Sequence, residues 1–267
     1  MNKNKTIILI LMLTLSSSLL FAQFSGGSGT EADPYKISSE KDFETLSELA
    51  DLDSLDDFGV NVTWSYGKYF ILTNNIQTKV PCPVSISLAY SFKGNFNGKN
   101  YRITLYGDID PPALFSLISA GAKVSNIIVD GGCCVWGLNE KSAIENCINT
   151  THFFNSKCWS TIVNSVIGYN AIVRNCMNTG SIIYTNEIPG EIVPKAGIIG
   201  HIANAYYLFT TIENCINYGC IITNGNPTGG ILGLTPTQIA NGSIPHIQNC
   251  VNVGVINATG PSGGITP

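Results

Sequence analysis

The chain has 267 residues, of which 44% are hydrophobic and only 12% charged, with a formal net charge of −4. With no basic patch it has no electrostatic footprint for nucleic acid or an anionic membrane. Charge also thins along the chain: 13 of the 18 acidic residues precede Gly131, leaving Glu140, Glu145, Glu187, Glu191 and Glu213 beyond it, so Asn, Thr, Ser and Gly must supply the polar exterior there.

Lys3 and Lys5 precede an apolar run from Ile7 to Leu15, followed by Ser16 to Ser18 and Leu19 to Ala22. This is the layout of a secretory signal peptide cleaved after Ala22, its apolar part being short for a spanning helix. Residues 1–22 are expected to be removed, giving a protein that is secreted or held at the cell surface, with no membrane insertion afterwards.

Residues 23–66 read as an extended N-terminal segment and a helix. Ser39 with Asp42 fits a capping box, and Phe43, Leu46, Leu49 and Ala50 follow at helical spacing. A lone amphipathic helix before a run of strands suits a lid on a stack whose unpaired edge would otherwise invite aggregation. Residues 67–130 read as leader strands and a first coil. The expected strands are Tyr69 to Leu72, Ser85 to Leu88, Tyr101 to Leu105 and Lys123 to Val129, separated by Gly and Asn turns.

Residues 131–267 carry a repeat. The fragment I-x-N-C-I-N recurs at Ile144 to Asn149, Val173 to Asn178, Ile212 to Asn217 and Ile247 to Asn252. Gly-Ile segments alternate with it: Gly197 to Gly200, then Gly229, Gly230 and Gly233, then Gly263 and Gly264 opening a unit that is not completed. Val166 to Gly168 reads as a degenerate counterpart before the second copy. Such recurrence marks a stack of similar units and not an ordinary globular domain.

The apolar residues and cysteines of each copy should point inward, with the asparagines at the corner where the chain leaves a strand. Asn tolerates left-handed backbone and bonds neighbouring coils, so Asn146, Asn175, Asn214 and Asn249 are expected to form one ladder. Asn149, Asn178, Asn217 and Asn252 should form a second. Cys147, Cys176, Cys215 and Cys250 lie 29, 39 and 35 residues apart. If each copy is one coil, neighbouring thiols come within disulfide reach; if it holds two, they stand roughly 9.6 Å apart and out of reach. Reduced, buried thiols are expected for these four, with Cys133, Cys134, Cys158 and Cys220 the better candidates for any bridge.

Gly-Gly-Ile-Leu-Gly at Gly229 to Gly233, Ala-Gly-Ile-Ile-Gly at Ala196 to Gly200 and the Asn-Cys segments resemble the GLUG repeats of bacterial surface proteins. Asp33 to Leu49, Gly67 to Asn75 and Phe92 to Leu105 look like the leader found before such repeats, and Ala113 to Asn126 like a first repeat. Phe115-Ser116 stands where Phe-Gly is usual, and Val166 to Gly168 lacks the paired glycine. The resemblance implies an all-β fold, a right-handed parallel β-helix, in adhesin-like surface proteins and sometimes in larger exported proteases. It transfers no catalytic residue.

Function is read accordingly as a non-enzymatic binding scaffold for an extracellular glycan or protein, with no cofactor. Tyr184, Tyr206, Tyr207 and Tyr218 are a candidate contact face. A polysaccharide-active enzyme is the alternative, since parallel β-helices host lyases and hydrolases, and Glu187 and Glu191 flank Pro189-Gly190. A solvated turn explains that pair more simply, and His152, His201 and His246 show no metal-ligand spacing. The unfinished final unit implies self-association at an open edge, cover by a partner, or a longer protein.

Overall fold

The computed structural model describes residues 24–55, 61–83, 90–108, 113–156, 158–186, 193–203, 209–234 and 245–266. Residues 1–22, expected from the sequence to be a signal peptide, and the expected strand at Ser85 to Leu88 lie outside them.

The chain is a parallel β-helix. Eight strands stack in the order Tyr35–Ile37, Tyr69–Leu72, Asn95–Asn97, Lys123–Ser125, Ala143–Glu145, Ile172–Arg174, Thr211–Glu213 and His246–Gln248, each parallel to the next. A seven-stranded sheet from Ile76–Thr78 to Val251–Asn252 and a five-stranded sheet from Ala113–Ile118 to Leu232–Leu234 form the other main walls. Four- and three-stranded sheets, including Ile182–Tyr184 and Lys195–Ala196, widen the later coils.

The register shows that one copy of the repeat is one coil. Ile144 pairs with Val173, Val173 with Ile212 and Ile212 with Ile247. The alternative of two coils per copy is therefore corrected. The ten extra residues between Cys176 and Cys215, 39 against 29, are taken up in connections between sheets. Register also corrects the counterpart of Gly197 to Gly200 in the coil before. Val163 pairs with Ile199 and Ser165 with His201, so Thr161 to Asn164 occupies that place, not Val166 to Gly168. The expected strand from Lys123 to Val129 is broken at Asn126, whose φ of 53° turns the chain between Lys123–Ser125 and Ile128–Asp130.

The interior changes character along the stack. At the N-terminal end Phe24, Tyr35, Trp64, Phe70, Phe92, Phe96 and Phe115 pack ring on ring, with centroids 4.8–6.2 Å apart along the chain of contacts. Further on, Ile144, Val173, Ile212 and Cys147, Cys176, Cys215 line the lumen, almost wholly buried. Full burial of each such aliphatic side chain contributes about 1.5–3 kcal/mol.

The helix α1, Glu40–Ala50, closes the first end as its sequence predicts. Ser39 and Asp42 form the reciprocal capping box, and Asp51 is the C-cap. Phe43 reaches Phe96 and Phe115, at centroid distances of 6.3 and 6.2 Å, while Leu46 and Ala50 join the same core. Apolar spacing at i, i+3 and i+7 thus turns one helix face into a plug over the aromatic stack.

Candidate functional site

The two asparagine rows sit where the repeat pattern puts them, but they differ in kind. In the outer row Asn126, Asn146, Asn175, Asn214 and Asn249 all have φ between 52° and 54°, the left-handed corner that Asn tolerates. Nδ2 of Asn126 donates to Asn97 Oδ1, that of Asn146 to Asn126, that of Asn175 to Asn146 and that of Asn214 to Asn175, at 3.0–3.1 Å. Asn126 was absent from the ladder expected from the sequence, because Ile127 replaces the cysteine of the pattern; its V-x-N-I-I context is the signal that finds it.

The inner row is buried and runs in the opposite sense. Asn178 Nδ2 donates to Asn217 Oδ1 (2.6 Å) and Asn217 Nδ2 to Asn252 Oδ1 (2.7 Å). Each of Asn178 and Asn217 also brackets the glycine two residues on, accepting from its N–H and donating to its carbonyl. Asn149 is a correction: its amide donates instead to Gly132 O and Thr161 O, both at 2.8 Å, while its Oδ1 accepts from Thr151 N–H.

This row also explains the repeat glycines. A Cβ on Gly197 would lie 2.3 Å from the Asn217 amide carbon, and one on Gly230 2.4 Å from that of Asn252. The Gly-Ile and Asn-Cys segments of one coil are thus matched across the lumen. Gly229 pairs with Gly263, and a Cβ on Gly233 would lie 2.6 Å from the Gly200 carbonyl, so the close approach also runs from coil to coil; a Cβ on Gly264 would meet nothing within 4 Å.

The cysteines form a third row. The Cys147, Cys176, Cys215 and Cys250 thiols each point their single S–H between the carbonyl two residues back, at 3.3 Å, and a carbonyl of the preceding coil, at 3.6–3.9 Å. All nine cysteines are free thiols. Burial pushes the Cys134 and Cys176 thiols well above the usual range, which disfavours the thiolate.

Of the expected aromatic contact face, Tyr184 is a correction. Tyr184 is buried, with Lys195 Nζ 4.0 Å over its ring and bonded to the carbonyls of Ser156 and Cys158. Strand alternation turns Ile182 and Tyr184 inward together. Tyr218 is exposed, whereas Tyr206 and Tyr207 lie outside the described residues, as do Glu187 and Glu191. The histidines are dispersed: His152 bonds Ser181 Oγ, His201 packs edge-on to Trp159, and His246 is exposed on the last coil. Burial lowers the pKa of His201.

A concave surface is found instead on the outer face of the eight-stranded sheet, with a cavity volume of about 450 Å³. Tyr69, Ile71, Asn95, Asn97, Lys123, Ser125 and Glu145 come from its strands, Lys99, Asn126 and Asn146 from the corner, and Glu31 and Pro34 from the loop leading into the first strand. That loop is fixed by turn bonds from Ser28 and Gly29 to the Asp33 carbonyl, and by Tyr69 N–H donating to Gly29 O at 2.9 Å. Glu145, almost buried, is the electrostatic hub. It pairs with Lys123 on one side and with Arg174 at 2.5 Å on the other. Arg174 reaches Glu213 at 3.8 Å, and Glu213 accepts from Gln248 Nε2 at 2.7 Å. Opposite charges in neighbouring strands thus meet in alternation across four coils.

No family model matches the chain, and no curated protein matches it. Among solved structures it is similar to a crystal structure of a "putative immunoglobulin A1 protease" from Bacteroides ovatus, at 16% identity and a TM-score of 0.60. The likeness covers 91% of this chain and 87% of that one. At that identity it shows a shared fold.

Proposed function

We propose that this chain is an exported, adhesin-like binding scaffold of the GLUG-repeat kind, secreted or displayed at the cell surface and without catalytic chemistry of its own. The observation that carries the reading is the groove on the eight-stranded face: a preformed concavity of mixed polar and apolar lining, built from residues of consecutive coils. Its volume lies in the range of ligand sites, and it rests on strands instead of mobile loops. Repeat stacks suit such a role because they hold a long regular surface rigid. Glu145, the most enclosed carboxylate of the groove, is engaged by Lys123 and Arg174, which favours a positioning role over proton exchange.

The test is binding of the purified exported protein to an array of glycans and extracellular-matrix proteins. Saturable binding with the arrayed polysaccharides left at full length is the expected result. Shortening of any of them would make the protein an enzyme and remove the reading.

A further inference from the structure

We infer that the groove takes a neutral glycan chain laid across successive coils, an assignment that rests on the binding-scaffold reading. Four features of the lining argue for it. The first is charge. Glu31 and Glu145 stand against Lys99 and Lys123, so the ionic groups of the lining balance. Glu145 is also tied to Arg174 just beyond the groove. An anionic polymer would meet as many carboxylates as cations here, and would have to compete with formed ion pairs for Lys123 and Arg174.

The second feature is the amides. Asn95, Asn97, Asn126 and Asn146 all line the groove. Along the outer ladder Asn126 and Asn146 each spend one N–H and one carbonyl lone pair on their neighbours. An amide has two of each, so both retain a donor beside an acceptor. A sugar hydroxyl both donates and accepts, and matches that pair; a carboxylate or sulfate only accepts.

The third is the aromatic ring. Tyr69 occupies an outward position of its strand, half-buried, next to Ile71 on the same face. A ring with an apolar body and a polar tip suits a ligand that is amphipathic in the same way, as the C–H face of a pyranose is. The fourth is geometry. Neighbouring coils are about 4.8 Å apart, so Tyr69, Asn95 and Lys123, which are register partners in successive coils, offer one contact after another along the stack at a polymer-like spacing. An extended peptide draws its affinity from the free backbone of a sheet edge. This groove lies on the face of a sheet, where the strands from Tyr69–Leu72 to Ala143–Glu145 have neighbours on both sides.

The experiment is a quantitative array of neutral oligosaccharides, uronic-acid and sulfated oligosaccharides, and matrix proteins. It is read with the wild-type exported protein, Tyr69→Ala and Asn95→Ala, and with Phe154→Ala on the four-stranded sheet as a remote control. Neutral oligosaccharides should bind saturably in preference to anionic ones. Each groove variant should lower that affinity about tenfold or more, and Phe154→Ala should leave it unchanged. If anionic glycans or proteins are the ligands and the groove variants lose them, the neutral-glycan inference falls while the scaffold reading stands. Neutral-glycan binding indifferent to both groove variants would also overturn the inference. Silence across every ligand class would remove the scaffold reading as well. The neutral-over-anionic preference is measured on the wild type, so the inference stays refutable even where a variant fails to fold.

Discussion

The two asparagine rows share a residue type and a repeat unit, yet they should respond very unequally to removal. Asn178 is fully buried, and its side chain makes three bonds: to Gly180 O at 2.9 Å, from Gly180 N at 2.9 Å and to Asn217 Oδ1 at 2.6 Å. Water cannot replace them. At about 1 kcal/mol for each bond, Asn178→Ala is expected to cost about 3 kcal/mol. Asn175 stands three residues earlier in the same coil and makes two ladder bonds, but it is exposed, and water takes over both. Glycine accepts its φ of 54°, so Asn175→Gly should cost no more than about 0.5 kcal/mol. For a chain of this size about 3 kcal/mol lowers the thermal midpoint by roughly 6–12 °C, against a degree or two for the outer variant. Circular dichroism melts and urea titrations with unchanged slope would measure both. Equal losses, or a larger loss for Asn175→Gly, would refute the argument that burial, and not ladder membership, sets the worth of these amides.

Three further outcomes follow from the same reasoning. Burial pushes the Asp42 carboxyl up, but bonds from Ser38 N–H and from the Ser25, Ser38 and Ser39 hydroxyls outweigh it and hold its pKa below the ordinary value. Its contribution is therefore complete above the unfolded pKa of about 3.9 and is lost as pH falls through the folded value. Asp42→Asn should cost about 1 kcal/mol at neutral pH and flatten the acid limb of the stability curve; an unchanged limb would count against the cap. Native alkylation should reach only the half-buried Cys220 and Cys250, Cys250 the more slowly because its bond with Cys215 raises its pKa, with the seven buried thiols reacting after unfolding, as peptide mapping would read out. Glu145→Gln takes the charged partner from Lys123 and one of two from Arg174, which keeps Glu213, and both cations are about two-fifths exposed, so the loss should be about 1 kcal/mol and should shrink in high salt. A salt-independent loss would point to packing in place of the ion pairs.

The repeat was legible because its constraints are local: a left-handed corner selects Asn, and a narrow lumen selects Ile, Val and Cys at fixed offsets. The helix cap was legible for the same reason. Coil count was not, since copies of 29 and 39 residues close the same circuit and connections between sheets absorb the difference. Nor was the orientation of Tyr184. Ile182, Ile183 and Tyr184 are all apolar enough to face either way, and a period of two carries no phase without contrast between alternate positions. The groove lay further still from any sequence pattern. Glu31, Tyr69, Asn95, Lys123 and Glu145 lie 22 to 38 residues apart and hold no fixed position of the repeat, whose outer asparagine row adds only Asn126 and Asn146 to the lining. They meet only because each coil returns a different outward residue to the same place on the sheet. In a solenoid the inward positions are held alike by stacking, whereas the outward ones are free to differ from coil to coil. The repeat therefore reports the scaffold, and ligand chemistry has to be sought where successive coils break the pattern on their outer face.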